Sequence, residues 1–123
     1  MIEIERVYEG GETRGKRFLV ERLWPRGIKK EDLAYDEWLK DVAPSTELRK
    51  WFGHDPSKYE EFRHAYYKEL DEHPEAWQPI LDAARSGAVT LLYSSRDTEH
   101  NNAVALKQYL EAKLGAKDKR GGA

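Results

Sequence analysis

The 123-residue chain has no cysteine. Disulfides, thiolate metal sites and a cysteine nucleophile are therefore excluded. Long apolar runs are missing too. The opening stretch MIEIERVYEG carries no hydrophobic segment of signal type, and nothing further along approaches the length that crosses a bilayer. Nor is there an excess of charge of one sign. Twenty-one Lys and Arg against 23 Asp and Glu leave a formal net charge of −2. Bulk charge therefore cannot hold the protein on nucleic acid or on a membrane surface, and any basic site must be local. The expected location is cytoplasmic, with no membrane partner and with nucleic acid disfavoured. Three familiar signatures are also absent: a Gly-rich phosphate loop, a G-x-S-x-G elbow around Ser45, Ser94 or Ser95, and histidines paired at i,i+3 or i,i+4.

What is present reads as one α/β domain. Ile2 to Val7 alternates apolar and polar residues, as a half-buried strand does. Gly10, Gly11 and Gly15 mark a loop. Phe18 to Leu23 reads as a second strand, with Phe18, Val20 and Arg22 sharing one face, and it ends at Trp24-Pro25-Arg26-Gly27. Lys29 to Leu33 suits one helical turn, and residues 35–39 read as strand more readily than as helix. Ser45 or Thr46 caps a short helix ended by Gly53. Asp55-Pro56 opens a second, with Tyr59, Phe62, Tyr66 and Leu70 inward; Pro74 opens a third, which Pro79 should kink or delay in its start and which Gly87 closes. Val89 to Tyr93 suits a central strand covered on both faces. Ser95 or Asp97 then caps a last helix through about Leu114, stopped by Gly115. The expected fold is a mostly parallel sheet of three to four strands flanked by helices over residues 1–115, with a disordered tail over 116–123.

Two long blocks, ERLWPRGIKKEDLAYDEWLKDVAPSTELRKWFGHD and VTLLYSSRDTEHNNA, closely resemble the YeaO-like branch of the family called domain of unknown function 488. The resemblance covers nearly the whole chain. It implies a single-domain α/β protein and assigns no biochemical activity. A wider branch of that family looks similar but has an LLCAE-type strand end and an EHCHR-type helix start. Here Tyr93, Ser94 and Ser95, and then His100, Asn101, Asn102 and Ala103, stand in those places. Chemistry resting on those cysteines, that glutamate or that second histidine does not carry over, whereas Arg22, Arg96 and His100 match.

In parallel sheets ligands gather beyond the carboxyl ends of the strands, and arginines cluster at two such ends. Arg22 shares its face with buried residues, so it must either pair with an acid such as Glu21, Asp97 or Glu99 or bind an anion. Arg26 is a loop charge or a second anion ligand, and Trp24 either packs or stacks on a ligand. Arg96, before the last helix, would add a planar fork to a helix N-terminus. His100 is the candidate general acid or base, with Asp97 a cap or its orienting partner. Asn101 and Asn102 are either helix-start residues or ligand contacts, and Arg49 and His54 could face the same pocket.

The leading expectation is thus an anion pocket for phosphate or carboxylate, lined by Arg22, Arg26, Arg96 and Arg49. It would take a small anionic molecule such as a nucleotide or phosphorylated metabolite, in a protein that either catalyses or only binds and regulates. A weaker alternative is a metal-dependent hydrolase using His54, Asp55 and His100. The residues specify no cofactor.

Overall fold

The computed structural model describes residues 1–9 and 15–115, and the helical backbone as far as Gly122. The loop expected at Gly10 and Gly11, and the side chains of the tail expected over 116–123, lie outside the described residues. The strands are β1 (Ile2–Arg6), β2 (Lys16–Leu19), β3 (Glu37–Trp38) and β4 (Val89–Tyr93). The helices are α1 (Thr46–Phe52), α2 (Tyr59–Glu72), α3 (Pro74–Ser86) and α4 (Asn102–Gly122). The strands form one sheet in the order β1-β4-β2-β3, with every pair parallel. Residues 35–39 are therefore strand at their centre, and Lys30–Asp32 is a single 3-10 turn.

The apolar run Val89–Tyr93 occupies the centre because it can be buried from both sides. Val89, Leu91 and Tyr93 meet Phe18, Val20 and the inward residues of the helices, including Phe62, Tyr66, Ile80, Leu106 and Leu110. Leu92 points to the other face. There it meets Val7, Leu19 and Leu33, with Trp24, Ile28, Tyr35 and Trp38 packed around them. That second face is thus covered by the connection between β2 and β3 rather than by helices.

Local chemistry explains most boundaries. The Ser45 hydroxyl accepts from the Leu48 N–H (3.2 Å), and Gly53 closes α1 in the left-handed conformation at φ 54°. The Asp55 carboxylate accepts from the Ser57 N–H, and Pro56 follows it into a 3-10 turn that leads into α2. Helix α3 runs through Pro79.

Three boundaries differ from the sequence expectation. β2 ends at Leu19 rather than Leu23, because side chains take the next carbonyls: Asn102 Nδ2 donates to Val20 O (2.8 Å) and Trp38 Nε1 to Glu21 O (2.6 Å). α4 starts at Asn102, after a turn that Asp97 caps instead. α4 also passes Gly115, which does not adopt the left-handed conformation of a helix stop. Among the described residues no helix is long and apolar enough to cross a membrane.

Candidate functional site at the strand ends

Beyond the carboxyl ends of β2 and β4 lies a cleft of about 360 Å³, within the size range of small-molecule sites. Four segments build it. Glu21 and Arg22 follow β2, Ser94 and Ser95 follow β4, α1 supplies Thr46, Arg49, Lys50 and Phe52, and His100, Asn101 and Asn102 stand at the start of α4. Leu23, Ala43, Pro44, His54 and Phe62 complete the lining. The apolar part is a stacked pair of buried rings, Phe52 and Phe62, with centroids 4.4 Å apart.

The early end of β2 puts two adjacent charged residues into this cleft. Along a continued strand, Glu21 and Arg22 would point to opposite faces. Instead the chain leaves the ladder and both line the cavity. Arg22 is held by backbone carbonyls, donating from Nη2 to Ala43 O (2.9 Å) and from Nε to Pro44 O (3.2 Å). It forms no ion pair among the described residues, so the structural pairing with Glu21, Asp97 or Glu99 does not occur. Glu21 accepts a short hydrogen bond from the Ser94 hydroxyl. Burial pushes its carboxyl above the ordinary glutamate value, while Ser94, the Asn102 amide and the Arg49 charge act against that rise.

His100 is positioned by the turn before α4. The Asp97 carboxylate accepts from the Glu99 and His100 backbone N–H groups, each at 2.9 Å, and stands 3.0 Å from His100 Nδ1. These bonds hold the Asp97 carboxyl below its usual range. The His100 ring also meets Tyr59 edge-on, with centroids 5.2 Å apart. In the neutral imidazole, Asp97 fixes the proton on Nδ1 and leaves Nε2 as the acceptor. Asn101 is the true cap of α4: its Oδ1 accepts from the Val104 N–H (2.9 Å), and its Nδ2 donates to Asp97 O (2.8 Å). The side chain of Asn102 ties the helix to the end of β2.

Of the residues singled out in the sequence, Arg22, Arg49, His54, His100, Asn101 and Asn102 meet at this cleft. Asp97 does not line it and meets it through His100, Asn101 and Ser95. Three others do not reach it. Arg26 is exposed, and its carbonyl accepts from the Tyr8 hydroxyl. Trp24 packs edge-on against Tyr35 and Trp38 on the far face of the sheet, with its indole bonded to Ile28 O. Arg96 is exposed and lies six residues before α4, so it stands at no helix N-terminus. The His54, Asp55 and His100 set does not assemble either. Asp55 is committed to the Ser57 N–H (3.0 Å) and hydroxyl (2.7 Å), and no group of three metal-ligating side chains forms among the described residues.

Sequence reasoning missed Glu21 as a site residue, along with Ser94, Thr46 and Lys50. The signal available for Glu21 was its place beside Arg22 at a strand end. The alternation rule hid it by assigning the two residues to opposite faces.

A family model described as "Inactive DUF488-N3 subclade" matches residues 1–123. The chain is 46% identical over 112 residues to the uncharacterised protein YeaO of Escherichia coli strain K12, covering 90% of this chain and 97% of that one. It is 36% identical over 113 residues to the uncharacterised proteins Mb3100c of Mycobacterium bovis and Rv3073c of Mycobacterium tuberculosis, covering 91% of this chain and 95% of each. No solved structure gives a significant match. The chain belongs to the domain of unknown function 488 family, in its YeaO-like branch.

Proposed function

We propose that the cleft binds a small anion, a phosphate or carboxylate group, between Arg22 and Arg49, and that the protein acts as a binding module. The observation that carries this reading is the state of Arg22. Its guanidinium is fixed on two backbone carbonyls, lines a cleft and has no acid partner among the described residues. A partly desolvated arginine without a counter-charge is stabilised by an incoming anion. Arg49 and Lys50 line the same cleft and add positive charge to it. The description of the matching family model as inactive favours binding over turnover.

Thermal melting and calorimetric titration with inorganic phosphate, succinate and adenosine monophosphate test the reading. A ligand at ten times its Kd should stabilise the fold by about 1.4 kcal/mol, raising Tm by roughly 4–6 °C in a domain of this size. Arg22→Met and Arg49→Met should each weaken binding at least tenfold. The reading fails if none of the three anions raises Tm, or if both variants bind as the wild type does.

A second reading, acid–base catalysis, has one observation in its favour. Asp97 on Nδ1 leaves His100 Nε2 as a base in a cleft that also holds the Glu21 carboxyl. Turnover of a phosphate or carboxylate ester that disappears in His100→Gln would favour it over simple binding.

A further inference from the structure

Glu21, Arg22 and Arg49 line one cavity, yet no ion pair joins the acid to either arginine. Glu21 and Arg22 are secured in different directions. Arg22 is held on the Ala43 and Pro44 carbonyls that precede α1. Glu21 is held on the Ser94 hydroxyl beyond the central strand. Opposite charges that share a desolvated space normally collapse onto one another, because an unpaired charge there is costly. Here the backbone carbonyls and the serine hold Arg22 and Glu21 apart, and the Arg49 charge acts on Glu21 without forming an ion pair with it.

We propose that the cleft is built for an amphoteric ligand. Its anionic group, phosphate or carboxylate, sits on Arg22 and Arg49, and an N–H donor, an amine or a ring N–H, sits on Glu21. This rests on the anion-binding reading and adds the second half of the ligand. One molecule bearing both groups satisfies the acid and the arginines at once, which a simple anion does not. His100 lines the same cleft and offers Nε2 as a second acceptor, since Asp97 occupies Nδ1. The stacked Phe52 and Phe62 rings supply apolar surface for the carbon skeleton that joins the two groups. Burial disfavours the charged Glu21 carboxylate, and an N–H donor on the ligand would add to the hydrogen bond that Ser94 already gives it.

The test uses matched ligand pairs that differ only by an amino group: ethyl phosphate against 2-aminoethyl phosphate, and succinate against aspartate. Affinities are measured by calorimetry on the wild type, Glu21→Gln, Glu21→Ala and Arg22→Met, with denaturation curves to establish that each variant folds. The wild type should favour the amino-bearing member of at least one pair tenfold or more, and the pair that responds identifies the anionic group. Both Glu21 variants should bring that ratio close to one while still binding the plain anion. Arg22→Met should weaken both members together. The inference is overturned if the wild type binds both members equally, or if the preference survives in both Glu21 variants. If no member of either pair binds in an Arg22-dependent way, the anion-binding reading itself is lost.

Discussion

Replacing Asn101 with alanine tests the local logic that builds the site. Asn101 is 2% exposed. Its carbonyl Oδ1 caps α4 through the Val104 N–H, and its Nδ2 donates to Asp97 O. Alanine removes both bonds at a place where water cannot readily replace them. Loss of the cap costs about 1 kcal/mol. Leaving the Asp97 carbonyl without its donor costs about 1–2 kcal/mol more. The expected total is about 2–3 kcal/mol, or roughly 8–12 °C in Tm for a domain of this size. Asn101→Asp keeps the acceptor and places a negative charge at a helix N-terminus, so it should lose only about 1–2 kcal/mol. Asp97→Ala frees backbone N–H groups in a more open turn and should cost about 1 kcal/mol or less. Urea denaturation followed by circular dichroism gives the three values. If Asn101→Ala falls within 0.5 kcal/mol of wild type, or Asp97→Ala proves the more damaging, the assignment of the cap is wrong.

Burial raises the Glu21 carboxyl in the fold, so the stability linked to it is fully present below the unfolded value and is lost as pH rises through the folded one. Glu21→Gln, which mimics the protonated form, should match the wild type near pH 4 and be the more stable near pH 7; a stability difference that does not change with pH would refute this. At Gly15, φ is +82° and a Cβ would lie 1.9 Å from Ala88 O. Gly15→Ala should therefore cost more than about 2 kcal/mol, and a melting temperature within 2 °C of wild type would contradict the close approach. Tyr66 is fully buried and its hydroxyl donates to Val42 O. Tyr66→Phe should lose about 1–2 kcal/mol, and an unchanged denaturation midpoint would mean that this carbonyl finds another donor.

Much of the fold was legible because local signals and burial agreed. The run Val89–Tyr93 suited a covered central strand and is one, and Ser45, Gly53 and the Asp55-Pro56 pair mark real helix boundaries. The site was half legible. Arg22, Arg49 and His100, singled out because strand ends and helix starts collect ligands, do line one cleft. Arg26, Trp24 and Arg96 sit equally close to those ends in sequence, but only the path of the chain decides which side chains turn inward. Two choices could not be made from the sequence. Asp97 and Asn101 are both good caps four residues apart, and here both act in series, the first on a turn and the second on α4. The end of β2 depended on Trp38 and Asn102, whose side chains take the Glu21 and Val20 carbonyls from 17 and 82 residues away.

The strand order carries a consequence for how the chain is made. β1 and β2 never touch through backbone pairing; both lean on β4, whose first residue is Val89. A nascent chain that stops short of Val89 can join β2 to β3 and nothing more, which leaves β1 as an unpaired edge and the apolar faces of α2 and α3 with only a fragment of sheet to cover. Such long-range closure slows folding and prolongs exposure of sticky surface during synthesis. The same dependence divides the protein into natural halves. A fragment ending near Gly87 lacks the strand that organises it, and a peptide beginning there carries that strand together with α4, so mixing the two should restore a sheet that neither forms alone.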